Sequence, residues 1–200
     1  MAVRRVSKPS SDRILEAAED VFAEHGYGEV SLRQLMAAAG VSTTAFYARF
    51  DSKEAVMAAL TTRLFSELHD EAPSVLDQAK SFEAGIERGV ELLCAKFGPR
   101  KPLVRAILAE AGSSPAVVEA RKRAYGLLAA FLAARFWVLV ERKKLAIEDP
   151  TALAWALVGA LEIQIVRWAV WDDIDLETLR TSLRAVAHAV LPRRARGDRT

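Results

Sequence analysis

Apolar residues along this chain recur at intervals of three and four, and no run of strict alternation bounded by turn residues interrupts them. The pattern predicts an all-α protein. Ile14, Leu15, Ala18, Val21 and Phe22 mark a first helix, with His25-Gly26 as its stop. Ser31 followed by Gln34 is a capping-box spacing that opens a short second helix through Ala38. Gly40 then breaks the chain, and Ser42 caps a third short helix reaching to about Arg49. Asp51 with Glu54 predicts the cap of a longer fourth helix, which Pro73 is expected to end. Further helices are expected near 80–97, 102–111, 115–143, 150–171 and 175–191. Ser114-Pro115 and Asp149-Pro150 each read as a cap followed by proline at the first helical position, where the missing N–H costs nothing; Pro192 closes the last helix. Helix length changes near residue 50. That change divides the chain into a head of short helices (1–51), a body of long ones (52–191) and a charged tail (192–200).

Composition narrows the class. With 52% hydrophobic residues in 200, a buried core is available and a disordered chain is excluded. The balance of 28 basic against 26 acidic side chains gives +2, so a nucleic-acid partner would need local clustering of charge. A single cysteine, Cys94, cannot close an internal disulfide, and no Cys/His ligand set at metal spacing exists. The first residues, MAVRRVSKPSSDR, carry charge without an apolar run behind it, unlike a secretory leader, and a cytoplasmic protein is expected. Residues 151–171 are apolar for 21 positions but contain Glu162, Gln164 and Arg167; they read as a buried helix of a soluble protein, with a membrane span as the alternative.

Residues 31–49, SLRQLMAAAGVSTTAFYAR, form a short helix, a turn at Gly40 and a second short helix, the spacing of a helix-turn-helix. Leu32, Leu35, Met36, Val41, Ala45 and Phe46 supply the inner face. Ser42, Thr43, Thr44, Tyr47 and Ala48 are left outside, a set of hydroxyls, an aromatic and a small residue suited to a DNA major groove. Arg4, Arg5 and Lys8 form a basic arm ahead of the first helix, able to follow phosphates or enter a minor groove. Lys53 sits at the start of the fourth helix, where free backbone N–H groups would favour an anion. Residues 1–53 hold seven basic and seven acidic side chains, a net of zero, so few phosphate contacts are expected.

In combination, Gly26-Tyr27, Ser31, Ala39-Gly40-Val41-Ser42, Tyr47, Phe50 and Ser52-Lys53-Glu54 resemble the DNA-binding domain of the TetR family of bacterial transcriptional regulators. Thr43-Thr44-Ala45 and Ala48-Arg49 depart from that family's usual steps, so no operator sequence carries over. The resemblance implies a three-helix DNA-binding domain followed by a helical effector-binding and dimerisation domain. It also implies DNA contacts by Ser31, Ser42, Thr43, Thr44, Tyr47 and Lys53, with Tyr47 and Lys53 positioning on phosphate and Thr43 and Thr44 discriminating bases. Arg33 joins that set as an exposed cation beside the same helix start.

For the body, the resemblance implies a dimer built on the last two helices. Leu176, Leu179, Leu183, Val186 and Val190 offer an apolar seam, and Ala156 and Gly159 allow close approach on the preceding helix, which is apolar nearly all round. It further implies an effector pocket, for which Phe97, Tyr125, Phe131, Trp137, Glu162 and Trp168 are the candidates, although aromatic residues at helical spacing are more often plain core. Glu162 needs a partner, whether Arg167, an arginine of another helix or a cationic ligand. Cys94 reads as a small core residue. No nucleophile, histidine pair or cofactor motif stands at catalytic spacing, so no enzyme, cofactor or metal is expected. The expected function is that of a ligand-responsive, operator-binding homodimeric repressor, the alternative being a helical small-molecule-binding protein without DNA activity.

Overall fold

The computed structural model describes residues 10–142 and 147–191. Arg4, Arg5, Lys8, Pro192 and the tail 192–200 lie outside the described residues. Among those described, every regular element is helical. The chain falls into two compact units, one comprising 1–64 with 100–121 and the other 65–99 with 122–200. That partition follows packing and differs from the division at residue 51 expected from helix length.

In the first unit, α1 (Ser10–His25) turns Ile14, Leu15, Ala18 and Phe22 inward and stops at Gly26, whose φ is +81°. The capping box at the head of α2 (Leu32–Ala39) is complete: the Ser31 hydroxyl accepts from the Gln34 backbone N–H, and the Gln34 side chain accepts from Ser31 N–H at 2.9 Å. Gly40, at φ +60° and ψ +40°, ends α2 with two reverse bonds, Gly40 N–H to Ala37 O and Val41 N–H to Met36 O, each 3.1 Å. This double closure is a Schellman motif and needs the left-handed conformation that glycine adopts without a Cβ clash. Arg13 of α1 locks the turn by donating to Ala39 O (2.8 Å) and Gly40 O (2.6 Å). Ser42 then caps α3 (Thr43–Tyr47), accepting from Ala45 N–H at 3.2 Å.

Two expectations fail at α4 (Lys53–Asp77). Its cap is Ser52, whose hydroxyl accepts from Ala55 N–H at 3.1 Å; Asp51 stands one residue too early to reach it. Nor does Pro73 end the helix, which continues through Asp77. Proline removes one N–H from the ladder, but Ala72 beside it is buried and Arg135 donates to both Pro73 O and Asp77 Oδ1, so packing and cross-helix bonds hold the final turn in register.

The remaining helices are α5 (Phe82–Phe97, capped by Ser81), α6 (Lys101–Arg105), α7 (Pro115–Glu141), α8 (Pro150–Val166, capped by Asp149) and α9 (Leu176–Val190, capped by Asp175). The helix expected over 102–111 and the end of the one expected over 150–171 widen into π-turns at Ala106–Glu110 and Arg167–Trp171. Apolar spacing does not reveal these turns because each ends its helix, so no later turn follows to show the change of phase.

The seam expected of α9 is partly buried within the second unit. Leu179 and Leu183 are fully buried beneath α5 and α8. Arg184 pairs with Glu87 and Glu91 of α5, and Arg180 with Glu91, holding α9 down. Leu176 packs over Gly98, and Val186 and Val190 are half-buried. Of the five, Leu179 and Leu183 therefore belong to the unit's own core, while Leu176, Val186 and Val190 stay half-buried. α8 behaves as its all-round apolarity suggests: Ala154, Leu157, Val158 and Ile165 are buried, while Trp155, Ala156, Gly159 and Ile163 face outward. α7 and the segment Pro150–Trp171, α8 with the π-turn that follows it, are long and apolar enough to cross a membrane by length and composition, a test that core helices of soluble proteins also pass.

Gly40→Ala forces a Cβ into the left-handed region and is expected to lower unfolding free energy by about 1–2 kcal/mol, whereas Gly28→Ala, in open space, should be near neutral. Urea unfolding followed by circular dichroism checks the pair.

Candidate nucleic-acid interface

The inner face of the helix-turn-helix is anchored by Phe46, which is fully buried, with Leu35 and Ala39 beside it. Around this anchor the short α3 directs Ser42, Thr43, Thr44, Tyr47 and Ala48 to solvent. Tyr47 is 48% exposed, yet its ring rests edge-on against Phe46 at 5.6 Å, so the phenol is presented from a fixed base. Ser31 and Arg33 are exposed at the start of α2. The Ser31 and Ser42 hydroxyls already serve as caps, which leaves Ser42 its O–H proton as a donor. Arg49, not singled out from sequence, stands exposed just past α3 with its Nε 3.3 Å from Ser10 Oγ. The acids of α1 are partly engaged elsewhere: Glu19 pairs with Arg63 and Arg100.

Lys53 has a different role from the expected phosphate contact. Its ammonium donates to Tyr27 O (2.8 Å), Val30 O (2.9 Å) and Gly28 O (3.3 Å), and lies 4.4 Å above the Tyr27 ring. An ammonium has three donors, and here three carbonyls take them. The expected anion site at the start of α4 is filled as well. Ser52 takes the Ala55 N–H, and the Glu54 carboxylate accepts its own backbone N–H, which holds its pKa below the usual carboxylate value. Lys53 thus ties the loop between α1 and α2 to the first turn of α4.

Tyr27 is the other half of this clamp. Its ring packs edge-on against Phe22 at 5.2 Å, its N–H donates to Glu110 Oε2 at 2.9 Å, and its hydroxyl donates to Glu54 Oε1 at 3.4 Å. Burial, then the Glu54 charge and hydrogen bond, push the phenol pKa up to about 12.

In the second unit, α4, α5, α7, α8 and α9 line a cavity of about 740 Å³. Of the six candidate pocket residues only Phe131 lines it. Phe97 is buried edge-on against Phe65 at 5.7 Å, and Trp168 is core. Trp137 is half exposed on the outer face of α7. Tyr125 packs on Phe65 and donates its hydroxyl to Glu162 at 2.8 Å, while Arg167 turns to Asp173 and Gln164. These aromatics lie at helical spacing on inward or outward stripes that the cavity does not reach. The residues missed are Gly85, Gly89, Lys80, Arg135 and Arg142; a glycine pair one turn apart in a helix was the available signal. Burial pushes the Cys94 thiol pKa up, consistent with a core residue.

The tight turn and the short exposed α3, on a head followed by a body that is helical among the described residues, define a helix-turn-helix protein. Residues 14–60 match the family described as bacterial regulatory proteins, tetR family. The transcriptional regulator UidR of Escherichia coli K12 is 24% identical over 186 residues, 92% of this chain and 94% of its own. EthR of Mycobacterium tuberculosis H37Rv is 31% identical over 126 residues, covering 58% of this chain and 56% of its own. The fatty acid degradation regulator FadR of Bacillus halodurans superposes with a TM-score of 0.77 at 22% identity, over 94% of this chain and 97% of its own. Residues 14–60 thus carry the DNA-binding domain described for the tetR family, and the chain is similar over most of its length to helix-turn-helix transcriptional regulators.

Because Tyr27 is neutral in the folded state up to about pH 12 and an unfolded tyrosine ionises near 10, its contribution to stability is complete below pH 10 and lost as pH rises toward 12. Unfolding free energy should fall by roughly 2 kcal/mol more over that window than in Tyr27→Phe, measured by urea titration at each pH.

Proposed function

We propose that this regulator is a homodimeric repressor that holds a palindromic operator through α3 and releases it when a small molecule fills the cavity of the second unit. The polarity of α3 carries the reading: Phe46 is sealed inside while Thr43, Thr44 and Tyr47 stand outward beside the Ser42 cap. Thr43 and Thr44 bring hydroxyls and methyls to base edges, and Tyr47, Ser31, Ser42 and Arg33 position on phosphate, with the Arg4 and Arg5 arm adding sequence-independent attraction. Lys53 acts by holding the loop before α2. In this reading residues 1–51 read DNA, and 52–191 bind the effector and the second subunit.

A palindromic site needs two heads about one helical turn apart, so a second copy is required. The outward face of α8, with Trp155, Ala156, Gly159 and Ile163, supports that copy as its occupant, and Ala156 and Gly159 keep the interface role first assigned to them. α4 offers the coupling. It is continuous from Lys53, which grips the 27–30 loop, to Leu76 and Asp77, which line the cavity. An effector releases DNA only by favouring the non-binding arrangement of these elements. A role at the chromosome makes the protein cytoplasmic.

Two measurements test the proposal. Thr43→Ala with Thr44→Ala is expected to reduce affinity for duplexes selected from a random pool by at least tenfold and leave non-specific binding unchanged, read by fluorescence anisotropy at fixed salt. Unchanged specific affinity would remove α3 as the reader, and a chain that selects no duplex would be a ligand-binding helical protein instead. In sedimentation velocity the native protein should run as a dimer and Gly159→Arg as a monomer; a native monomer would sink the two-headed reading.

A further inference from the structure

The cavity of the second unit differs in chemistry from one end to the other. Its charged side chains are Asp77 in the last turn of α4, Lys80 in the turn into α5, Arg135 in the C-terminal half of α7 and Arg142 just past its end. The Arg135–Asp77 pair at 2.5 Å brings α4 and α7 together at this end, and the Arg135 guanidinium lies 5.0 Å from the Phe131 ring centre. Three cations against one carboxylate leave this end at 3 − 1 = +2. Beyond it the wall is apolar, running along α4 from Leu76 back to Leu68 and along α5 from Gly85 to Leu93, eight residues of helix in each case, or about 12 Å.

A second observation bears on what fills that space. Gly85 and Gly89 are one turn apart inside α5, where glycine is less stable than alanine. A Cβ at Gly89 would meet Leu76 Cδ2 at 3.7 Å and one at Gly85 would meet Ala79 Cβ at 3.8 Å, both ordinary contacts. Close packing of the backbone therefore does not demand glycine at either position. What the pair preserves is room along the apolar wall.

Resting on the reading of this cavity as the effector site, we infer that its ligand is a single-chain amphiphile, an unbranched alkyl tail along the α4–α5 wall with a carboxylate head beside Lys80 and Arg142. Length, an apolar lining and a positive charge confined to one end all match such a molecule. A compact polar effector would leave the far wall unfilled, and a cationic head would meet the wrong sign.

The test is direct titration of the full-length protein, without DNA, by isothermal calorimetry with monomeric dodecanoate, dodecanol and dodecyltrimethylammonium. One dodecanoate should bind per protomer, at least tenfold more tightly than the trimethylammonium. Across hexanoate, octanoate and decanoate, affinity should rise about fourfold per methylene until the wall is filled. Gly89→Leu should abolish binding with the melting temperature of the free protein preserved. Lys80→Gln and Arg142→Gln should weaken dodecanoate fivefold or more and leave dodecanol unaffected; neither side chain is part of the Arg135–Asp77 pair. Equal binding of both head charges, several weak sites per protomer, or full binding by a folded Gly89→Leu would overturn the inference. The repressor reading fails separately: tight dodecanoate binding with unchanged operator affinity rejects ligand release and leaves the ligand class standing.

Discussion

The head depends on one charged clamp. Lys53 opens α4, yet its ammonium is held by three carbonyls of the loop between α1 and α2 and by the face of Tyr27. Hydrogen bonds to a charged group are among the stronger ones available to a protein, and three on a single nitrogen fix a short irregular segment with little surface to bury. That segment ends at Ser31, the cap of α2. The clamp therefore sets where the helix-turn-helix begins, and Glu110, bonded to the Tyr27 N–H, extends the same connection to the π-turn after α6.

The second constraint is the turn itself. Gly40 closes α2 through two backbone bonds and Arg13 caps the same carbonyl end from α1, so α3 leaves in one direction only. A helix as short as Thr43–Tyr47 has almost no stability of its own. Its position comes from the Ser42 cap at one end and Phe46 in the core, and this is why five outward side chains can form a defined surface without a long scaffold beneath them.

The features legible in the sequence were those set by neighbours three or four positions away. The Ser31–Gln34 box, the Gly40 break, the Ser42 cap and the outward set on α3 all rest on local geometry, and the Ser114-Pro115 and Asp149-Pro150 pairs likewise mark the starts of α7 and α8. Features decided by distant partners were not. Lys53 reads as a free cation until the carbonyls of residues 27, 28 and 30 are placed around it. Pro73 reads as a stop until Arg135, 62 positions away, is seen to bond its carbonyl. The α9 seam reads as one uniform apolar face until Glu87 and Glu91 of α5 are seen to hold Arg184 and Arg180, with Leu179 and Leu183 buried and the rest half-buried. The cavity is not legible from the aromatic residues, because leucines, and glycines with no side chain at all, make the space.

The burial of Cys94 has a practical side. The chain carries a single thiol, enclosed in the second unit and held protonated by its surroundings. A cysteine placed on the solvent side of α2, at Ala38 for instance, would then be the sole reactive sulfur at neutral pH. A spin label or dye attached there would report the separation between the heads of an assembled pair in solution, with no background from the native residue.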